Sequence, residues 1–306
     1  MIVRFFSSLT IPNGFIRGAS FWNSFVEAIA KPMITTAYKY GFFRPNAQRQ
    51  AKELLDREVI VSLTTYGKRV ELLPSCLESI FRQTVRADRI VLWLARDEFD
   101  DATLPVEVTS FVKRGLEVKY SEDLRSHKKY WTTMQEWPDA VVITLDDDTF
   151  YPENTIEELL ASYLLWPKAI SCHRAHQMRF LGKNLLPYVE WNFSSPGVRG
   201  PSNSLVPIGV GGVLYPPGCL AKEVLDATLI RELCFAADDL WLKVHAYRAN
   251  TLVVKVRPFS RPVFSLPGSQ STTLTDHNVL TGMNDEQLER VLQHFGITFS
   301  EDSGRR

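Results

Sequence analysis

The sequence of 306 residues lacks the features that mark several classes of protein. It has no stretch of about eighteen uninterrupted apolar residues, so we expect no membrane-spanning helix. Lysine and arginine together number 35, as do aspartate and glutamate, and this zero net charge argues against a nucleic-acid partner. Internal repeats and low-complexity segments are also lacking. The composition is instead that of an ordinary globular protein, with 45% apolar and 23% charged residues.

Cysteine is scarce, and its spacing argues against a cysteine metal site. The four cysteines lie far apart in the sequence, at Cys76, Cys172, Cys219 and Cys234. Buried, reduced thiols are the simplest interpretation, and they suit a cytosolic compartment. We therefore expect a cytoplasmic protein, with peripheral attachment to the inner membrane face as an alternative that depends on the N-terminal segment described below.

Two common phosphate-binding motifs are missing, although one glycine-rich stretch is present at Gly209-Val210-Gly211-Gly212. No Gly-Lys-Ser or Gly-Lys-Thr follows it, so it is not a P-loop. It begins a predicted strand instead of following one, so it is not a dinucleotide-binding fingerprint. Glycines at such a place permit the backbone to approach a ligand or a neighbouring strand closely.

The sequence does contain a regular alternation of strand and helix patterns. Apolar, β-branched runs at 59–64, 89–94, 116–120 and 140–145 predict buried strands, and amphipathic stretches such as 73–81 separate them. This alternation predicts an open, mainly parallel α/β sheet flanked by helices. Ligands of such sheets bind at the carboxyl ends of the strands.

Three consecutive carboxylates, Asp146, Asp147 and Asp148, follow the strand predicted at 140–145. They repel one another unless protons or a cation neutralise them, so one hypothesis is a divalent metal that carries a phosphorylated substrate. The alternative is an acidic helix start, since Pro152 and Glu153 follow shortly. The triplet alone does not separate these two interpretations.

A second acidic pair, Asp238-Asp239, precedes a predicted apolar helix. A helix cap requires only one acid, so a catalytic carboxylate and a cap both remain open for this pair. Cations follow two of the other predicted strands, at 64–69 and 126–129. The long segment 177–207 contains aromatic residues, among them Trp191, that either stack on sugar rings or anchor the segment on the core.

The N-terminal residues 1–45 are apolar and aromatic, with few acids. The pattern at 20–30 predicts an amphipathic helix that buries Phe21, Phe25 and Ile29. We favour a helix packed on the domain, because only Arg4, Arg17 and Lys31 supply positive charge early in this segment. The alternative is an interfacial segment that touches a membrane surface.

These motifs together resemble a known family. The strand that ends in Asp146-Asp147-Asp148 is similar to the Asp-x-Asp metal motif of glycosyltransferases with the GT-A fold. Asp238-Asp239-Leu240-x-Leu242-Lys243 resembles the Glu-Asp-x-x-Leu element of family-2 glycosyltransferases, whose aspartate is the catalytic base. The stretches at 59–69 and 209–215 resemble the nucleotide-binding first strand and the glycine-rich strand on the acceptor side.

The resemblance implies a role for each matching residue. Asp239 would be the catalytic base, with Asp238 as the fallback, and Gly211 and Gly212 would lie on the acceptor side. We place Trp191 on the acceptor side as well, because aromatic rings stack on sugars. The metal, Mn²⁺ or Mg²⁺, would be bound by Asp148 and Asp146, with His277 as a candidate third ligand. The donor-binding residues would be Thr64, Arg69, Lys128 or Lys129, Asp146 and Asp147.

The resemblance implies an inverting, metal-dependent glycosyltransferase of bacterial surface polysaccharide synthesis. Its partners would be a nucleotide-sugar donor and a glycan or lipid-linked acceptor. The expected architecture is an N-terminal helical extension (1–57), a GT-A (Rossmann-like) domain (58–260) and a C-terminal tail and helix (261–306). The alternatives are a nucleotidyltransferase acting on sugar phosphates and a non-catalytic nucleotide- or glycan-binding module.

Overall fold

The computed structural model describes residues 1–43, 48–101, 104–269 and 282–300. Short 3₁₀ turns accompany the regular elements, among them Gly67–Glu71, Arg125–His127 and Gly209–Gly211. The α-helices are α1 (Ile2–Leu9), α2 (Ala19–Lys39), α3 (Leu73–Phe81), α4 (Val106–Val112), α5 (Lys128–Glu136), α6 (Thr155–Leu165), α7 (Ala227–Leu233), α8 (Asp238–Arg248) and α9 (Met283–Phe295).

The strands belong to one large sheet and several short ladders. They are β1 (Arg49–Gln50), β2 (Val59–Thr64), β3 (Val85–Arg86), β4 (Arg89–Ala95), β5 (Leu116–Ser121), β6 (Val141–Thr144), β7 (Thr149–Phe150), β8 (Ile170–Cys172), β9 (Ala175–Gln177), β10 (Phe180–Leu181), β11 (Asn184–Leu185), β12 (Leu205–Pro207), β13 (Val213–Tyr215), β14 (Val253–Lys255) and β15 (Phe264–Ser265).

The central sheet has seven strands in the order β14-β8-β13-β6-β2-β4-β5. Neighbouring strands run parallel except at β13, which is antiparallel to both β6 and β8. Helices cover both faces, as the long apolar runs of β2, β4 and β6 require. The predicted fold class, an open, mixed, mainly parallel α/β sheet flanked by helices, is confirmed.

The order of the strands reverses at β2, and this reversal creates a crevice. The chain runs from β2 outward to β4 and β5, and then returns to place β6 on the other side of β2. Crevices outside the carboxyl ends of strands at such a switch point are the usual ligand sites of open α/β sheets. The residues that follow β2 and β6 therefore face one another at this edge.

Alternation along β2 divides its side chains between two faces of the sheet. Val59, Val61 and Leu63 join the core cluster under α3 and α6, and all three are fully buried. On the other face, the Ser62 hydroxyl bonds Thr133 of α5 at 2.7 Å. This contact holds α5, and with it the residues at the start of α5, against the centre of the sheet.

The N-terminal helix α1 is fixed to the segment that follows β7. Glu153 is fully buried, and its carboxylate accepts hydrogen bonds from the backbone N–H groups of Val3 (3.1 Å) and Arg4 (2.7 Å). A carboxylate at this end of a helix satisfies donors that otherwise lack partners. The division into three segments at 57 and 260 stays a prediction.

The structure corrects two predicted helices and confirms one predicted strand. The helix expected at 20–30 extends over Ala19–Lys39, and it buries Val26, Ala30 and Ile34 but exposes Phe21 and Phe25. The strand predicted at Val213–Tyr215, directly after the glycine-rich stretch, is confirmed, and Gly212 ends the preceding turn with a positive φ of 87°. The apolar pattern at 220–233 predicts one helix, but the chain forms a 3₁₀ turn at Lys222–Leu225 and then α7, which Asp226 caps with its side chain.

The long segment 177–207 is organised, although its sequence has weak periodicity. Its end, β12, pairs with β9, and β10 pairs with β11 as a short hairpin. The buried Lys255 ammonium donates to the carbonyl oxygens of Ser194, Ser195 and Pro258 at 2.8–2.9 Å. Among the described residues, no helix is both long and apolar enough to cross a membrane.

Candidate active site

The acidic triplet lies at the end of β6, next to the crevice between β6 and β2. Leu145 still bonds β2 through the carbonyl of Ser62, at 3.0 Å, and the triplet follows directly. The backbone N–H of Asp146 donates to the hydroxyl of Tyr151, at 2.7 Å. Helix α6 begins only at Thr155, with Glu157 and Glu158 in its first turn. The alternative interpretation of the triplet as an acidic helix start is therefore wrong.

Arg69 neutralises two members of the triplet. Its guanidinium lies 2.9 Å from Oδ1 of Asp147 and 2.6 Å from Oδ2 of Asp148. Thr65 donates to the other oxygen of Asp147 at 2.5 Å. Burial nevertheless raises the pKa of Asp147 to about 6, because these two partners offset only part of the desolvation. Asp147 thus orients the turn after β2, as well as carrying charge.

Lys129 connects the triplet to the second acidic pair. Its ammonium lies 2.7 Å from Oδ1 of Asp146 and 3.1 Å from Oδ2 of Asp238, and only 6% of its side chain is exposed. Burial opposes a charge on this amine, and yet the pKa of Lys129 is raised well above its ordinary value. The cause is the negative charge of the surrounding aspartates, Asp146 first and then Asp238 and Asp239. Lys129 is therefore a charged centre between the two acidic motifs.

The two aspartates of the second pair have opposite pKa shifts. Burial would raise the pKa of Asp238, but Lys129 and then His127 outweigh burial and lower it. Burial and the negative charge of Asp238 raise the pKa of Asp239 well above its ordinary value. The N-cap position of α8 is Ala237, so neither aspartate is the capping residue. Two carboxylates with separated pKa values are typical of acid–base sites.

Gly209 brings the backbone close to all of these charges. Its N–H lies 3.2 and 3.4 Å from the two carboxylate oxygens of Asp239. A Cβ added here would lie 3.2 Å from both Asp146 Oδ1 and Lys129 Nζ, which is tighter than ordinary van der Waals contact. A residue with a side chain at 209 would therefore push the two acidic motifs apart, and glycine permits their close approach.

Several residues predicted for the site lie elsewhere. The Thr64 hydroxyl donates to the Trp93 carbonyl inside the sheet, and the neighbouring Thr65 contacts the triplet instead. Lys128 is buried and pairs with Asp123, so Lys129 is the lysine at the site. Trp191 is also buried.

Of the two interpretations of Trp191, stacking on a sugar ring does not fit its position, whereas anchoring on the core does. Only 3% of Trp191 is exposed, and its indole N–H donates to the Leu186 carbonyl at 2.8 Å. It packs against Tyr188 and so anchors segment 177–207 on the core. Gly211 and Gly212 lie between β12 and β13, Gly211 beside His173 and Arg174 and Gly212 beside Leu145, the residue before the triplet. His277 lies outside the described residues.

Sequence reasoning missed two residues that shape the site. Tyr151 is fully buried and bonds the backbone of Asp146, and its position three residues after Asp148 was the available signal. Arg174 follows β8, and burial lowers its pKa, an effect that Tyr188 and then Asp239 partly offset. Nothing in the local pattern at 170–177 distinguishes Arg174 from a solvated arginine.

The donor set at the triplet suits a divalent cation that also binds phosphate. Within the described ranges, no three His, Cys, Asp or Glu side chains form a ready metal cage. Magnesium in nucleotide sites needs only one or two carboxylates and completes its shell with phosphate oxygens and water. Asp146 and Asp148 stay partly exposed, at 28% and 20%, and burial and the charge of Asp146 raise the pKa of Asp148. An additional cation would relieve this excess of negative charge.

Comparisons with known proteins identify no family for this chain. No protein-family profile matches the sequence. A search of curated proteins likewise finds no match. The structure has distant similarity to a crystal structure of GalNAc-T7 with UDP, GalNAc and Mn²⁺, with a TM-score of 0.45 and 12% identity over 74% of this chain and 48% of that chain.

A second distant similarity is to a crystal structure of 4-diphosphocytidyl-2C-methyl-D-erythritol synthase. Its TM-score is 0.40, with 11% identity over 78% of this chain and 99% of that chain. Similarity at this level says nothing about activity or ligands.

Proposed function

We propose that this chain is an inverting glycosyltransferase. It would move a sugar from a nucleotide-diphosphate sugar to a hydroxyl of a glycan or lipid-linked acceptor, in the synthesis of a surface polysaccharide. One observation carries the proposal: Lys129 joins the Asp146 carboxylate after β6 to the Asp238 carboxylate at the start of α8. Two acidic motifs that are distant in sequence thereby form one site at the ligand-binding edge of the sheet.

The donor half of the proposed site is the crevice between β2 and β6. Asp146 and Asp148 would hold Mn²⁺ or Mg²⁺, which would neutralise the charge that builds on the departing diphosphate. Arg69 and Lys129 already supply two positive charges beside these carboxylates. Guanidinium and ammonium groups in such positions orient phosphate oxygens.

The acceptor half centres on Asp239, which we assign as the general base. Asp238 is held ionised by Lys129, whereas Asp239 accepts its described hydrogen bonds from the Gly209 N–H. A carboxylate whose pKa is raised binds a proton more tightly than an ordinary aspartate. Asp239 would take the acceptor hydroxyl proton while the new glycosidic bond forms. The bond to the diphosphate breaks at the same time, and the diphosphate leaves with the electron pair.

The N-terminal helices provide a surface for a membrane, and we propose peripheral attachment there. Helix α2 exposes large apolar side chains along one face, including Phe21 (83% exposed), Phe25 (52%) and Met33 (51%). Exposed apolar patches of this kind mark contact sites with membranes or proteins. A lipid-linked acceptor would then be reached from the inner membrane face of a cytoplasmic enzyme.

The proposed activity is tested by identifying the leaving group. The full chain is incubated with a panel of nucleotide sugars, and in parallel with nucleoside triphosphates plus sugar phosphates, with Mn²⁺ or with a chelator. We expect metal-dependent release of a nucleoside diphosphate in the first set. Release of pyrophosphate in the second set would instead establish a nucleotidyltransferase. Donor binding without either product would establish a binding module and contradict the proposal.

A further inference from the structure

A cavity of about 260 Å³ lies beside the Gly209–Gly211 turn, between α1 and the segment around 257–264. Its wall contains Val210 and Gly211 of that turn, and Ser7 and Ser8 of α1. Of the described residues that line it, four are arginines and the only carboxylate is that of Glu158. The arginines are Arg4, Arg174, Arg257 and Arg261. The cavity is therefore strongly basic in a protein that has no net charge.

Two of the four arginines are occupied by contacts within the protein. Arg257 pairs with Glu158. Arg261 donates to the carbonyl oxygens of Ser7 (2.8 Å) and Thr10 (2.6 Å), where it satisfies acceptors at the end of α1. These two arginines have structural explanations.

The side chains of the other two arginines, Arg4 and Arg174, make no hydrogen bond or ion pair in the part of the chain that the structure describes. The Nε atom of Arg174 is buried without a partner. Burial disfavours the charge on this guanidinium and lowers its pKa, although Tyr188 and Asp239 offset part of that effect. An unpaired buried charge is costly, and an anion in the cavity would compensate it.

The cavity reaches the proposed base through a single turn. At one end of this turn, the Gly209 N–H lies 3.2 Å from Asp239. At the other end, Gly211 lies close to the residues that follow β8. A Cβ added at Gly211 would be 3.4 Å from the Cβ of Arg174. A ligand that fills the cavity therefore sits one turn away from Asp239.

We propose that this cavity binds an anionic group of the acceptor, a phosphate or a carboxylate, through Arg4 and Arg174. Both groups match the forked donors of guanidinium. Anchored in this way, the acceptor would present its hydroxyl toward Asp239, and neutral glycans would be poor acceptors. The identification of this ligand as an acceptor rests on the proposed glycosyl transfer, whereas anion binding in the cavity does not.

Equilibrium binding with three probes tests the anion site without any turnover. Glucose 1-phosphate, glucuronate and uncharged glucose are titrated into the full chain at constant ionic strength, and binding is measured calorimetrically. We expect at least one charged sugar to bind and glucose not to bind. Arg4→Gln and Arg174→Gln should each weaken that binding at least tenfold. The charged sugar that binds more tightly identifies phosphate or carboxylate as the recognised group.

Two further variants make the result specific to this cavity. Arg179→Gln removes an exposed arginine whose described side-chain contact is with the Glu190 carbonyl, and it should leave binding unchanged. Arg69→Gln tests binding in the donor crevice. Loss of binding in Arg69→Gln but not in Arg174→Gln would overturn the proposal. So would equal binding of glucose and the charged sugars, or no binding of either charged sugar. If binding follows the prediction but no nucleoside diphosphate is released from any donor, only the proposed function fails.

Discussion

Lys129 donates a hydrogen bond of 2.7 Å to Asp146, and through this contact it joins two parts of the chain that are distant in sequence. The same ammonium lies 3.1 Å from Asp238. Because Lys129 is almost completely buried, its charge is compensated mainly by these carboxylates, and not by water. The contact between Lys129 and Asp146 is thus both structural and the electrostatic centre of the proposed active site.

Replacing Lys129 with Met should destabilise the protein. The change leaves Asp146 and Asp238 close together without their cation, and removing one partner of a buried ion pair costs about 3 kcal/mol or more. Urea unfolding followed by circular dichroism measures the change in the free energy of unfolding. A loss below about 1 kcal/mol would contradict the central role assigned to Lys129.

A double variant separates the charge effect from lost packing. In Lys129→Met/Asp238→Asn, one of the two unpaired carboxylates is also removed. We expect the double variant to be less destabilised than the sum of the two single variants, by about 1 kcal/mol or more. Additive effects would show that Lys129 and Asp238 do not interact energetically.

Asp239→Asn should abolish sugar transfer while leaving donor binding intact. The amide retains the shape of the side chain but accepts no proton from an acceptor hydroxyl, and a loss of at least about 100-fold in kcat is expected for a missing general base. Donor affinity and initial transfer rates are measured on the same preparation. Glu232→Gln, an exposed change in α7, serves as the control. Full activity in both Asp239→Asn and Asp238→Asn would rule out this assignment.

Asp148→Asn should remove the effect of Mn²⁺ on donor binding. One of the two partly exposed carboxylates assigned to the cation is then neutral, and Arg69 keeps its contact with Asp147. Thermal shifts with donor are compared in Mn²⁺ and in chelator, and we expect a metal-dependent shift for the wild type only. Asp97→Asn, an exposed aspartate after β4, should behave as the wild type does. An unchanged metal effect in Asp148→Asn would contradict the metal assignment.

His127 should make the protein sensitive to acid. Burial lowers the pKa of His127 to about 4, below its ordinary value of about 6.5. Its Nε2 contacts the Cys234 carbonyl at 2.9 Å, and its Nδ1 contacts the Tyr130 hydroxyl at 2.7 Å. A carbonyl only accepts, so Nε2 carries the proton and Nδ1 accepts from Tyr130. The stabilising effect of neutral His127 is complete above about pH 6.5 and is lost as the pH falls toward about 4.

The measurement compares the wild type with His127→Gln, which does not titrate. The free energy of unfolding of each protein is followed across this pH range. We expect the wild type to lose stability relative to the variant as the pH falls. The contributions of His176 and His245 to the pH dependence cancel, because both residues are present in both proteins. Parallel curves for the two proteins would contradict the assignment.

The exposed face of α2 should bind anionic vesicles. Burying two phenylalanines in a lipid interface contributes about 3 kcal/mol or more, so Phe21→Ser/Phe25→Ser should weaken vesicle binding at least about tenfold. Co-sedimentation with phosphatidylglycerol-containing vesicles measures it. Leu181→Ser, which removes a 73% exposed apolar residue from the β10–β11 hairpin, is the matched control. Failure to bind vesicles, or an equal loss of vesicle binding in both variants, would contradict membrane attachment. Dimers that form with rising protein concentration would identify a second copy of the chain as the partner of this face.

The strands and the position of the triplet follow from local patterns. Apolar runs such as 140–145 are buried on both faces, where an unpaired carboxylate is costly, so acids directly after such a run are placed at the edge of the sheet. The short irregular elements were harder to predict, because the turn at Gly209–Gly211 depends on the long-range approach of Asp146 and Lys129. Local patterns also do not distinguish Lys128 from Lys129 as the lysine that contacts the acidic site.

The sequence by itself determined the fold class and the two acidic motifs, because strand periodicity and the placement of charges are local properties. Only the tertiary structure decided that Lys129 lies between the motifs while Lys128 pairs elsewhere, and that Trp191 is a core residue. It alone also revealed the unpaired Arg174 beside a basic cavity. Burial and ion pairing depend on which distant segments the sheet brings together, and no local pattern contains that information.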